Sequence, residues 1–241
     1  MKRRDENMPF LLRYENVAWY ENGRVRILDR RVYPAEVRFA ECFTYGEVVR
    51  AIADMVTQSA GPYTAVGMGM ALAAHECRDK SKAEQTAFLK RAARDLANAR
   101  PSDLNARPTA ANRYGAITGR CVALGVQALE AGANPVEAIV ASTVESLNRR
   151  YETMQTVGDF LAGLIPQGGT VLTQCFGETI VGTVMRAARR QNKTFRVFCA
   201  ETRPYLQGAR LTAACFAELG FDTTVITDNM AAYAMEREGI D

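Results

Sequence analysis

The stretch TVLTQCFGETIVGTVMRAARRQNKTFRVFC, Thr170 to Cys199, decides the architecture. Thr170–Thr173 is a short apolar, β-branched run, a strand signal, and Phe195–Cys199 is a second. Between them Glu178–Arg190 reads as a helix. Downstream the alternation repeats: Gly208–Leu219 is helical and stopped by Gly220, Thr223–Thr227 is strand-like, and Met230–Glu238 is a last helix. Strands alternating with helices imply parallel crossovers and a Rossmann-like, doubly wound α/β sheet. In such a sheet ligands bind at the carboxyl ends of the strands.

That edge collects the polar side chains of the region. Cys175, in the string TQCFGE, stands directly after the first strand and before a helix. A turn of this kind aims backbone N–H groups and the positive end of a helix at one spot, which suits a phosphate and favours a thiolate. The alternative is a small buried residue, the ordinary fate of a cysteine. After the second strand comes ETRPYLQGARLTA, Glu201 to Ala213, with Glu201, Thr202, Arg203 and Gln207 clustered at the next strand-to-helix handover. Gln207 can read a sugar hydroxyl, and Gly208 lets the helix start close to a ligand. Arg203 and Arg210 are both candidates to pair with Glu201, with Arg210 preferred. Asp228, after the third strand, either binds a ribose hydroxyl or caps the last helix.

Upstream the texture differs. Val17–Tyr20 and Arg24–Leu28 flank Asn22-Gly23, a strong hairpin signal. Helices are expected at Thr44–Gln58, Ala65–Cys77, Ser81–Ala99, Asn112–Ala131 and Pro135–Leu164. In the third, Phe88, Leu89, Ala92, Ala93 and Leu96 form one buried stripe. Pro135 fits a helix's first turn, where its missing N–H costs nothing. Ile165-Pro-Gln-Gly-Gly169 breaks the pattern, so we expect an N-terminal hairpin and helical domain over 1–165 and the α/β domain over 166–241. Arg107, before Pro108 and a helix start, is either a surface residue or a bidentate phosphate clamp.

Composition narrows the function. Of 241 residues, 48% are hydrophobic and 24% charged, as expected for a protein with a full core. Thirty basic against 27 acidic residues leave a net charge of +3, too balanced to argue for nucleic acid. No run of 18 apolar residues suggests a membrane span, and no apolar run follows the basic N-terminus as in a secretory signal. The six cysteines contain no C-x-x-C pair, and a single histidine, His75, sits in an Ala-rich helical stretch as a packed or surface residue. Reduced thiols in a cytoplasmic protein are the natural reading. No G-x-G-x-x-G follows any strand, which argues against a dinucleotide site.

Three strings in order, ARPTAANRYGA (Ala106–Ala116), TQCFGETIVGT (Thr173–Thr183) and QGARLTA (Gln207–Ala213), resemble one family. It comprises methylthioribose-1-phosphate isomerase, ribose-1,5-bisphosphate isomerase and the regulatory subunits of the eukaryotic initiation-factor exchange complex. The string Trp19–Asp29 looks like the methylthioribose branch. The resemblance implies an aldose–ketose isomerase of methionine-salvage type acting on a pentose 1-phosphate without metal or nucleotide, as a homodimer. It assigns proton transfer to Cys175 and substrate contacts to Arg107, Thr173, Gln174, Gly177, Gln207 and Gly208. Two departures stand out. The V-R-G-A-P-A-I-G turn of the methylthioribose branch is replaced by a longer loop without its arginine, Thr57–Gly67. The family's catalytic aspartate, in a G-A-D string, falls after the residue matching Asp241, so the chain is expected to be incomplete at its C-terminus, inactive by itself and to leave an apolar sheet edge uncovered. The alternative function within the family is a non-catalytic regulatory or scaffold subunit.

Overall fold

A computed structural model describes residues 3–100 and 108–241, without the side chains of 108–112. The chain forms two compact units, one of Tyr14–Arg30 with Arg38–Leu147, the other of Met1–Arg13, Arg31–Val37 and Asn148–Asp241.

The first unit opens with a helical turn, α1 (Tyr14–Val17), and an antiparallel sheet of β1 (Ala18–Glu21), β2 (Arg24–Leu28) and β3 (Phe39–Cys42) in the order β1-β2-β3. Asn22 and Gly23 both have positive φ, 48° and 79°, the requirement of a type I′ turn whose twist matches the paired strands. Their neighbour is His75, whose ring packs near Tyr20 and under Gly23. β3 is a strand that the sequence reading did not anticipate. It is four residues long and owes its conformation to the second edge of β2, with Val25 opposite Cys42.

Four of the unit's helices, α2 (Tyr45–Ala53), α3 (Gly61–Glu76), α4 (Lys82–Ala97) and α5 (Pro108–Glu130), fall wholly within it, and α6 (Pro135–Leu164) begins in it. Thr44 with Glu47 and Ser81 with Glu84 form reciprocal capping boxes that start α2 and α4. α2 stops five residues before the expected Gln58. Met55 turns left-handed (φ 60°), and the chain folds inward so that the Val56 carbonyl accepts the Arg30 N–H at 2.8 Å. Arg30 is fully buried and donates from Nη1 to the Gln58 carbonyl at 2.6 Å. α3 starts at Gly61, with Pro62 in its first turn, and buries thirteen of sixteen residues, which makes it the central helix of the unit; α2, α4, α5 and β1 pack around it.

The second unit is built on the parallel sheet that the alternating pattern implies, ordered β4 (Thr170–Gln174), β5 (Arg196–Ala200), β6 (Asp222–Ile226). Gln174, Ala200 and Ile226 are in register, so the three carboxyl ends are level. α7 (Glu178–Arg190) follows β4. The expected helix after β5 begins as a π-helical turn, Gly208–Thr212, and becomes α-helical as α8 (Ala213–Glu218). The last helix is a 3₁₀ turn, Asp228–Met230, followed by α9 (Ala231–Arg237). Phe195, Phe216 and Phe221 stack on one another. Lys193 donates to the carbonyls of Ala162, Gly163 and Ile165, closing the C-terminal end of α6. The texture change at Pro166 coincides with the loop that leads into β4, while the contacts of the second unit take in the end of α6 from Asn148. Among the described residues no helix is long and apolar enough to cross a membrane.

Candidate active site

The carboxyl edge of β4, β5 and β6 carries the polar residues that the sequence singled out. Cys175 is one residue past β4 and has φ +63°, a left-handed conformation costly for any residue with a Cβ. Its backbone is held at both ends. Its N–H donates to Thr202 Oγ1 at 2.8 Å, and its carbonyl accepts the Thr212 hydroxyl. Thr202 lies two residues past β5, is itself left-handed (φ +64°), and donates its hydroxyl to the Ala200 carbonyl at 3.1 Å. Asp228, two residues past β6, accepts the N–H groups of Thr202 at 2.7 Å and Arg203 at 2.8 Å. Those two bonds, Arg203's first, hold the Asp228 carboxyl below the usual aspartate range.

This geometry revises two expectations. Asp228 clamps the loop after β5, and the position that caps the final 3₁₀ turn is Thr227, whose hydroxyl donates to Asn229 Oδ1 at 2.7 Å and makes no capping bond to the backbone. The ion pair with Glu201 is made by Arg203, Nε to Oε1 at 3.0 Å, while Arg210 donates to the carbonyls of Arg31 and Tyr205.

Cys175 differs from the other five cysteines in exposure. It is half-buried, whereas Cys42, Cys77, Cys121, Cys199 and Cys215 are buried. Burial pushes the thiol of Cys42 up to about 11 and those of Cys121 and Cys199 up to about 12, which keeps them protonated near neutrality. Of the residues around Cys175, Thr173 is half-buried, Gln174 and Gly177 are exposed, and Gly177 precedes α7 as its N-cap. Gln207 is half-buried at the entry of the π-helical turn, and Gly208 is buried. A Cβ on Gly208 would stand 1.8 Å from the Ala200 carbonyl oxygen, so only glycine lets this helix start against the end of β5. Thr173 and Gln174 at the end of β4, Cys175 and Gly177 in the turn after it, and Gln207 and Gly208 at the start of the π-helical turn after β5 thus lie along one sheet edge. Arg107 lies outside the described residues. The residues that sequence reasoning missed are Thr202 and Thr212 as partners of Cys175; a hydroxyl at each handover was visible, its partner was not.

The model of the Initiation factor 2 subunit family matches residues 60–241. The methylthioribose-1-phosphate isomerase of Desulforudis audaxviator is 34% identical over 231 residues, 92% of this chain and 64% of that protein. The enzyme of the same name from Thermotoga maritima is 33% identical over 95% of this chain and 66% of its own length. Among solved structures, the delta subunit of the translation initiation factor eIF-2B from A. fulgidus superposes with a TM-score of 0.73 at 28% identity, covering 94% of this chain and 66% of that one. The 5-methylthioribose 1-phosphate isomerase from Pyrococcus horikoshii OT3 superposes with a TM-score of 0.70 at 27% identity, covering 95% and 66%. The chain therefore spans roughly two thirds of the length of these relatives and, on the match over residues 60–241, belongs to the Initiation factor 2 subunit family.

Proposed function

We propose that the protein is an aldose–ketose isomerase of a pentose 1-phosphate: methylthioribose 1-phosphate, a deoxyribose-type 1-phosphate that keeps its C2 hydroxyl, or ribose 1,5-bisphosphate. The observation that carries this reading is the half-exposed Cys175, fixed in a left-handed turn between β4 and α7 in a chain 34% identical to a methylthioribose-1-phosphate isomerase. A phosphate on C1 blocks simple hemiacetal opening. The ring oxygen must take a proton as its bond to C1 breaks, leaving a hydroxyl at C4. A proton then leaves C2 and returns at C1, while the C2 hydroxyl loses its own proton and becomes the carbonyl, so the product is an isomer of the substrate. Cys175 carries the proton between C2 and C1, the part of a general acid and base. Arg107 holds the phosphate, and Thr173, Gln174, Gly177, Gln207 and Gly208 surround the sugar. The acid at the ring oxygen is the aspartate that the family carries in its G-A-D string. A homodimer, a cytoplasmic location, a place in methionine salvage, and the absence of nucleic acid and membrane among its partners belong to the same reading.

The test is conversion of each of the three pentose 1-phosphates to its ketose by the protein at full natural length. Turnover that disappears in Cys175→Ser supports the reading. No turnover of any of them refutes it and favours a non-catalytic subunit, the reading that the absence of an arginine from Thr57–Gly67, a segment whose second half is the start of α3, and the fold of the A. fulgidus subunit support.

A further inference from the structure

We infer that Thr202 and Asp228 are positioning residues for Cys175, linking the ends of all three parallel strands into one support; as a statement about catalysis this rests on the isomerase reading. The three strand ends are level, so residues two past β5 and two past β6 stand beside one another and next to the turn after β4. Asp228 takes the N–H groups of Thr202 and Arg203, two successive donors that form a small anion-binding nest. This holds Thr202 in its left-handed conformation, which turns Oγ1 toward the Cys175 N–H at 2.8 Å. Thr212, in the π-helical turn, fixes the carbonyl side of Cys175. Two left-handed residues without glycine's freedom are thereby kept in place by bonds from neighbouring loops, and strained backbone of this kind persists only when its surroundings over-determine it. A released Cys175 would return to ordinary negative φ, swinging its Cα–Cβ bond and carrying Sγ away from the place where the loop now exposes it.

The conservative pair Thr202→Val and Thr202→Ser separates the hydroxyl from the shape of the side chain, and Asp228→Ala removes the clamp. The first measurement is the rate of Cys175 alkylation by iodoacetamide, read by peptide mass; it needs no substrate. We expect Thr202→Val to slow it about fivefold, Asp228→Ala to slow it about threefold, and Thr202→Ser to stay close to wild type, because an unsupported left-handed cysteine relaxes. The second measurement is turnover. Thr202→Val should lower kcat by about 10–100-fold with KM little changed, as a misplaced reacting atom does. Equal alkylation rates in all variants, or a Thr202→Ser as slow as Thr202→Val, would overturn the positioning role. Slowed alkylation together with unchanged kcat would overturn it as well. A wild type without turnover overturns the isomerase reading alone, since the alkylation series still decides whether Thr202 and Asp228 hold Cys175. Leu89→Ala, buried in the other unit, controls for a general loss of stability and should leave the alkylation rate unchanged.

Discussion

Gly208→Ala tests the seating of the π-helical turn against β5. Gly208 is buried, and a Cβ added to it would lie 1.8 Å from the Ala200 carbonyl oxygen and 2.9 Å from Thr202 Oγ1. A carbon–oxygen contact normally needs about 3.3 Å or more, so the carbonyl and the helix start must separate by about 1.5 Å. Neither neighbour yields easily. Ala200 is paired on both sides within the parallel sheet, and Thr202 is held by Asp228. Overpacking of this kind costs about 1–3 kcal/mol, partly offset by the better helix propensity of alanine. We expect a net loss near 2 kcal/mol, a fall in Tm of about 4–8 °C for a chain of this length. Gly163→Ala is the matched control. Gly163 is exposed in α6 with nothing within 4 Å of its added Cβ, and the same change there should stabilise by about 0.5–1 kcal/mol. Thermal unfolding of the two variants side by side by circular dichroism gives the comparison. If Gly208→Ala unfolds at or above the wild-type temperature, the close approach of the helix start to Ala200 is wrong.

Cys175→Ser should remove isomerase turnover by about 10²–10⁴-fold while Tm stays within about 2 °C, because the thiol is half-exposed and its backbone bonds remain; a large loss of stability would mark Cys175 as a packing residue. Asp228 has a carboxyl pKa lowered from 3.8 by its bonds to the loop, so the unfolded chain takes up its proton first. The stability it lends is present above about pH 4 and lost as pH falls through the lowered value, and Asp228→Ala should flatten the acid limb of a stability-versus-pH curve. An unchanged limb would show that the clamp is not formed in solution. Ser81→Ala removes one half of a capping box at the start of α4 and should lower stability by about 0.5–2 kcal/mol in urea titrations; a smaller effect would mean that Glu84 alone completes the cap.

What the sequence disclosed was mostly local. The hairpin was legible because Asn22-Gly23 favours positive φ at both turn positions whatever lies around it. α6 and α7 begin and end where their patterns do, since Pro135, Gly177 and the polar residues after Arg190 act through adjacent backbone. The early end of α2 was not legible, because the Arg30 N–H that donates to the Val56 carbonyl comes from the turn after β2, 26 residues earlier in the chain. β3 was hidden for the same reason, its conformation being set by β2. At the site, the position of Cys175 at a strand-to-helix turn was readable. Its left-handed backbone was not, because the hydroxyls that hold it are 27 and 37 residues away.

The enclosure of α3 has a consequence for the way its unit admits water. A helix with a solvated face breathes through that face, and its amides exchange with deuterium by small local openings. α3 has almost no such face: Met68, Met70 and Leu72 are fully buried, and helices and a strand surround it. Its central amides can reach solvent only when the neighbours separate, so they should be among the slowest-exchanging of the unit and report its global unfolding free energy. The seven residues of α9, with Ala234 as the buried one, should exchange orders of magnitude faster, so that one deuterium time course spans the full range of opening energies in this chain.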